Sequence, residues 1–229
     1  MSETDFARHV AGFLSQYLPG QRNLSTNTIS SYRDAFKLFL IYCGSETILK
    51  IEKIRISDIT PELLSAYLAW IEHDRGCGIA TRNQRLAAFK SFFHYVAAME
   101  PEHLLRCQQI LGIPMKKCAR PRMSFFSPEG LHLLLSQPEI TKRNGRRDHA
   151  MLVLLYDTAA RVQELIDVTV RDIRLEQPAT VTLHGKGRKT RVVPIGAKTA
   201  SIMEQYLSER GYIGMTGALD CPVFINTRK

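Results

Sequence analysis

The spacing of apolar residues changes character part-way along this chain, and that change limits what it can fold into. In residues 26–43, TNTISSYRDAFKLFLIYC, Ile29, Tyr32, Phe36 and Phe39 fall at i, i+3, i+7 and i+10. Leu86, Phe89, Phe93 and Val96 repeat that interval within residues 80–98. Such spacing lines one face of a helix, so both stripes are expected to face a core rather than to offer aromatic platforms for stacked bases. Two more helices are expected in the first half, at about 4–18 and about 61–74, the second entered through the capping residue Thr60 and Pro61. Past residue 170 the pattern shortens to strand-like runs at about 171–175, 179–183 and 190–195, with Gly185 and Gly187 bracketing the last turn. Helices are also expected to start at Ser127-Pro128-Glu129 and to span about 145–157 and 196–209, with PVFI at 222–225 as a closing strand.

Between these regimes lies PMKKCARPRMSFFS, with two prolines, four basic residues in 116–122 and no amphipathic period, which reads as an interdomain linker. Domains are therefore expected at 1–113 and 127–229, joined by residues 114–126. Charge divides in the same way. Residues 1–115 hold 12 Lys and Arg against 11 Asp and Glu, whereas residues 116–229 hold 19 against 11, and the whole chain carries +9. An excess of cations gathered in one half points to a polyanion partner, because cations that neutralise phosphates release condensed counterions. The five cysteines are scattered and lack CxxC spacing, which argues against a disulfide framework and a zinc site. No run approaches the roughly 20 apolar residues of a membrane span, and MSETDFARHV is not a signal peptide. A cytoplasmic, nucleoid-associated protein is expected.

Candidate phosphate contacts follow from polar residues outside the apolar stripes. Thr28, Ser31 and Arg33 near the start of one helix, and Thr81, Arg82, Arg85 and Lys90 on another, would give hydroxyl-and-basic faces. The linker adds Lys116, Lys117, Arg120 and Arg122, and the hairpin adds Arg188, Lys189 and Arg191. Two residues suit chemistry as well as binding. Arg161, at a helix start after an apolar helix, keeps its proton at ordinary pH and has a fork of donors that fits two phosphate oxygens; it is expected to be buried with its head aimed into a cleft. The bland alternative is an ion pair with Glu164, one turn along. Lys186, in H-G-K-G-R-K-T-R, can donate a proton and is a candidate general acid.

Together A-R-V-Q-E-L, V-x-x-x-D-I, G-K-G-R-K-x-R and V-V-P-I occur in the order found in tyrosine recombinases, the phage integrases, and the chain resembles that family from about residue 4 to 227. The upstream segments T-N-T-I-S-S-Y-R and A-T-R-N-Q-R-L-A-A-F-K-S-F-F resemble its helical core-binding domain. The resemblance implies a mainly α fold with a small antiparallel β-sheet: an N-terminal core-binding (SAM-like) domain and an α+β catalytic domain, incomplete at its C-terminus. It implies site-specific DNA recombination or integration, as in mobile elements, through a 3′-phosphotyrosine, with double-stranded DNA as partner, no cofactor or metal, and a tetramer for the complete protein. Arg161 matches the first catalytic arginine, Lys186 the lysine that protonates the departing 5′-oxygen, and Glu164 a supporting acid.

The family pattern continues with H-x-x-R and then the nucleophilic tyrosine, both downstream of the hairpin. Here the last histidine is His184, and the H-x-x-R match at His103 to Arg106 lies upstream of Arg161. Tyr206 and Tyr212 follow the hairpin but are expected to be packing or surface residues. The 229 residues are thus expected to bind DNA without cleaving it. Competing readings are a non-catalytic DNA-binding derivative of the fold and, further off, a basic RNA-binding module.

Overall fold

The computed structural model describes residues 4–119, 124–185, 187 and 189–225. The chain divides into two compact units, residues 1–122 and 123–229. Residues 114–119 of the expected linker therefore lie with the first unit, and 124–126 with the second.

The first unit is helical: α1 (Asp5–Gly12), running on into a π-helical stretch (Phe13–Gln21), α2 (Thr26–Glu46), α3 (Pro61–His73), α4 (Ile79–Met99) and α5 (Leu104–Leu111). Local chemistry sets the starts. Ser25 and Thr60 are N-caps whose side chains accept from Thr28 N and Leu63 N, and Pro61 fills a first-turn position where an N–H would go unused. Both sequence stripes are packed inward: Phe36 and Phe39 on α2 and Leu86, Phe89, Phe93 and Val96 on α4 are buried, with Ile29 and Tyr32 half-buried at the margin. Phe92 is buried too, its ring 5.2 Å from Phe36 and 5.5 Å from Phe13. Helix α5 was not expected from the sequence. It inserts Cys107 and Ile110 into the same core.

The second unit holds α6 (Pro128–Ser136), α7 (Arg143–Thr158), α8 (Val162–Ile166), strands β1 (Ile173–Arg174), β2 (Thr180–Gly185) and β3 (Lys189–Pro194), and α9 (Ala197–Glu209). The strands form one antiparallel sheet in chain order, with Val181 opposite Val193 and Gly185 opposite Lys189. Val181 and Leu183 point from β2 into a core with Leu154 of α7 and Met203 and Leu207 of α9. Two expectations need correction. The run at 171–175 is a strand only over Ile173–Arg174, because Val170–Asp172 close a tight 3₁₀ turn. PVFI is not a strand: it makes a single bridge, Pro222 to Thr169, while Val223 and Phe224 are buried as packing residues. Among the described residues, no helix is long and apolar enough to cross a membrane.

Candidate active site

Helix α7 ends at Ala159, whose left-handed backbone (φ 47°) turns the chain sharply and leaves Arg161 as the N-cap of α8. That turn sets the site. Glu164, one turn into α8, reaches back so that Oε2 accepts from Arg161 N at 2.9 Å and Oε1 accepts from Arg161 Nη1 at 2.7 Å. From the sheet, Arg191 Nη1 donates to Oε1 at 3.1 Å and Nη2 to Oε2 at 2.7 Å. A carboxylate thus lies between two guanidiniums, itself only 4% exposed, while the Arg161 and Arg191 side chains are 73% and 40% exposed.

Expectation and geometry differ at Arg161. The ion pair with Glu164 does form, yet the arginine is not buried. Its backbone and one terminal nitrogen are anchored, and the rest of the head faces solvent, where it can meet a phosphate. The two forked bonds from Arg191, then the Arg161 N–H, hold the Glu164 carboxyl well below the usual range, at about 2. A depressed carboxylate contributes stability that is complete above its unfolded pKa and fades only as pH falls toward the folded value, so this anchor persists through the whole physiological range.

Gly185 lies against the Glu164 carboxylate. A Cβ there would come within 2.9 Å of Glu164 Oε1 and 3.3 Å of the Lys189 carbonyl. The carboxylate is pinned from three directions and cannot step back. We expect Gly185→Ala to lower the stability of the second unit by about 1–3 kcal/mol, as overpacking does, read by urea denaturation; an unchanged midpoint would show that the strand shifts freely. Lys186 and Arg188, on the hairpin beyond Gly185, lie outside the described residues, as do Arg120 and Arg122. Gly187 has φ +78°, a backbone that side chains rarely adopt. Lys189 is exposed at the start of β3.

Behind the hairpin is a second buried acid, the aspartate of V-x-x-x-D-I, to which the sequence alone assigned no role. Asp172 Oδ2 accepts from Thr169 N and Oγ1 at 2.9 and 2.6 Å, and Oδ1 lies 3.1 Å from His184 Nε2. Burial raises its pKa, but the bonds from Thr169 and His184 outweigh that and leave it lowered. His184 in turn contacts Thr190 Oγ1 across the hairpin, so the acid fixes the base of the turn.

In the first unit, the predicted polar faces are only partly assembled. Ser31 is brought to α4, where Gln84 Nε2 donates to its hydroxyl and Arg85 Nη1 to its carbonyl. Thr28, one turn before it, and Thr81 are half-buried at the starts of α2 and α4, and Lys90 is half-buried further along. Arg33 does not share the Ser31 face, since residues two apart on a helix do not face each other; it lines a groove with Val10, Leu14 and Lys37. Arg82 is a correction. It is 6% exposed, donates Nη1 to the Pro114 carbonyl and to Asn83 Oδ1, and has Nε 3.9 Å from Glu72, so it braces the unit and does not lie on an exposed polar face. Asn83 clasps Lys116 reciprocally, accepting its N–H at 3.1 Å and donating to its carbonyl at 2.7 Å, and Lys116 Nζ is 2.6 Å from Glu72. Lys117 is exposed.

The model of the phage integrase family matches residues 125–229, and that of the phage integrase N-terminal SAM-like domain matches residues 11–100. The chain belongs to the phage integrase family of tyrosine recombinases. It is similar to y4rD of Sinorhizobium fredii, which carries an integrase/recombinase name, with 33% identity over 217 residues, 94% of this chain and 76% of that one. Tyrosine recombinase XerC of Pelobacter propionicus is 30% identical over 219 residues, 93% of this chain and 66% of that protein. Among solved structures, the Tn1549 transposon integrase in complex with transposon right end DNA has a TM-score of 0.65 at 12% identity, covering 95% of this chain and 71% of that one, a likeness of fold.

Proposed function

We propose that this chain grips duplex DNA and supplies the phosphate-clamping half of a tyrosine recombinase active site. The observation that carries the reading is Arg161, a guanidinium held open to solvent by a buried carboxylate. In that role Arg161 stabilises the charge that grows on the non-bridging oxygens when a tyrosine attacks the scissile phosphate. Lys186 protonates the departing 5′-oxygen, and Glu164 orients Arg161 without reacting. The energy of the broken phosphodiester is kept in the 3′-phosphotyrosine, so strand exchange needs no nucleotide cofactor. Residues 1–113 and 127–229 act as the two DNA-contacting domains and residues 114–126 as a basic linker between them. A protein that continues through H-x-x-R and the tyrosine would work as four protomers on DNA in the cytoplasm, at the nucleoid, in recombination of a mobile element by integration, excision, inversion or resolution.

A polypeptide of these 229 residues binds without cutting. Tyr206 supports that reading: it is buried, donates its hydroxyl to the Val223 carbonyl at 3.1 Å, stacks on Phe224, and burial first of all raises its pKa. A nucleophile needs the opposite environment. The same observation favours the second reading, a non-catalytic DNA-binding derivative, and a nicked suicide duplex separates the two: a protein that continues through H-x-x-R and a tyrosine should form a covalent adduct, whereas a derivative forms none.

Binding is tested by anisotropy on duplex DNA at rising salt. The logarithm of affinity should fall linearly with log salt, with a slope of about −0.9 for each phosphate neutralised. A flat response, or preference for RNA in competition, would sink the proposal.

A further inference from the structure

We infer that Arg191 is a positioning residue for Arg161, acting through Glu164, and not a ligand of a DNA phosphate. This rests on the proposed role of Arg161 as the phosphate clamp. Arg191 commits both terminal nitrogens to the two oxygens of Glu164, at 3.1 and 2.7 Å. The Nη1–Nη2 edge of its fork is turned to a carboxylate, so that edge is not open to a phosphate. Arg161 is engaged differently: among the described residues its side chain bonds only through Nη1, leaving Nη2 and Nε without a partner there, on a side chain 73% exposed.

Charge gives the same assignment. Arg161 and Glu164 alone would form a neutral pair, and a buried anion would face any phosphate that approached. Arg191 adds the second positive charge, leaving the three groups at +1 with the unspent donors on Arg161. The register adds a mechanical role: Arg191 lies opposite Leu183 on the hairpin whose Gly185 backs onto Glu164, so one carboxylate ties the strand leading to Lys186 to the helix start bearing Arg161.

The test is a double-variant comparison on the 229-residue protein, with duplex DNA at fixed salt. Arg191→Ala is expected to weaken binding about tenfold, the equivalent of roughly 1.4 kcal/mol, and adding Glu164→Gln should recover most of that loss by removing the unbalanced anion. If Arg191→Ala costs the same with and without Glu164→Gln, Arg191 touches phosphate directly and the inference is overturned. A DNA-free arm keeps this separate from the proposed function. By carboxyl NMR, Glu164 should show no titration above about pH 3 in the unsubstituted protein and should titrate there in Arg191→Ala, since its folded pKa is set first by Arg191. An unshifted titration overturns the inference even if DNA binding is normal; absence of salt-dependent DNA binding would instead remove the proposed function and leave this arm readable. Arg191→Lys keeps a charge but loses the fork, so it should fold and still let Glu164 titrate higher; a lysine variant indistinguishable from the parent in both readouts also overturns the inference.

Discussion

Arg161→Ala is expected to slow strand cleavage on the order of 10³-fold in a form of this protein that continues through H-x-x-R and the tyrosine, while its duplex affinity falls only about tenfold, the size of loss expected for Arg191→Ala. The size follows from what the residue can reach. Removing one preorganised donor aimed at developing oxyanion charge costs roughly 10²–10³-fold, and Arg161 presents a full charge with two nitrogens that no described residue engages. Affinity is buffered in this reading because the other cations proposed to contact the backbone would each contribute their own share of the salt slope. Arg161→Lys should recover little, since an ammonium on a flexible stem cannot replace a planar fork whose base is tied to Glu164. The check is the rate of covalent adduct formation on a nicked duplex. A drop of less than about tenfold, against the loss expected for such a donor, would mean that another group stabilises the phosphorane-like charge.

The largest effect on stability is expected at Phe89. Its ring is fully buried, with centroids of Phe36, Phe39 and Tyr67 at 5.0, 5.1 and 5.8 Å. Phe89→Ala removes a ring from the point where α2, α3 and α4 meet, and the neighbouring aromatic side chains cannot flow into the space without leaving their rotamers. Loss of transfer energy plus the cavity amounts to about 3–5 kcal/mol. Trp70 is the chain's one tryptophan and lies 6.3 Å from Tyr67, ring to ring, so its fluorescence reports this unit during denaturation. A loss of under about 1 kcal/mol, far short of such a cavity cost, would show that the core collapses around the gap.

These two positions were readable from sequence for different reasons. Phe89 announced itself by period, since apolar residues held at helical spacing along an otherwise polar segment mark a buried face. Arg161 emerged from motif order, but its exposure did not, because burial depends on the left-handed turn at Ala159, a residue type that gives no hint of it. The pairing of Glu164 with Arg191 spans 27 residues and exists only once the hairpin register is set, so no local pattern could have shown it. Arg82 was misread for a similar reason: one residue of a basic helix face is turned inward by Pro114 and Glu72, which are distant in sequence. Helix α5 was missed because its buried side chains, Cys107 and Ile110, give too short a period to stand out. PVFI was overread, an apolar run that packs without pairing along its length.

The Asn83 clasp on Lys116 has a consequence for avidity. By holding the backbone of residue 116 to α4, it removes three residues from the expected 13-residue connector and leaves at most ten, 117–126, to span the interval. Ten residues reach at most about 33–36 Å when fully extended, and the local concentration of a tethered second module rises as its tether shortens, roughly as length to the −3/2 power until the span can no longer be met. If both units contact DNA as proposed, then once one has landed on a duplex the other would search a small volume around the same helical turns, and the Asn83 amide would help to set how readily a one-handed encounter becomes a two-handed hold.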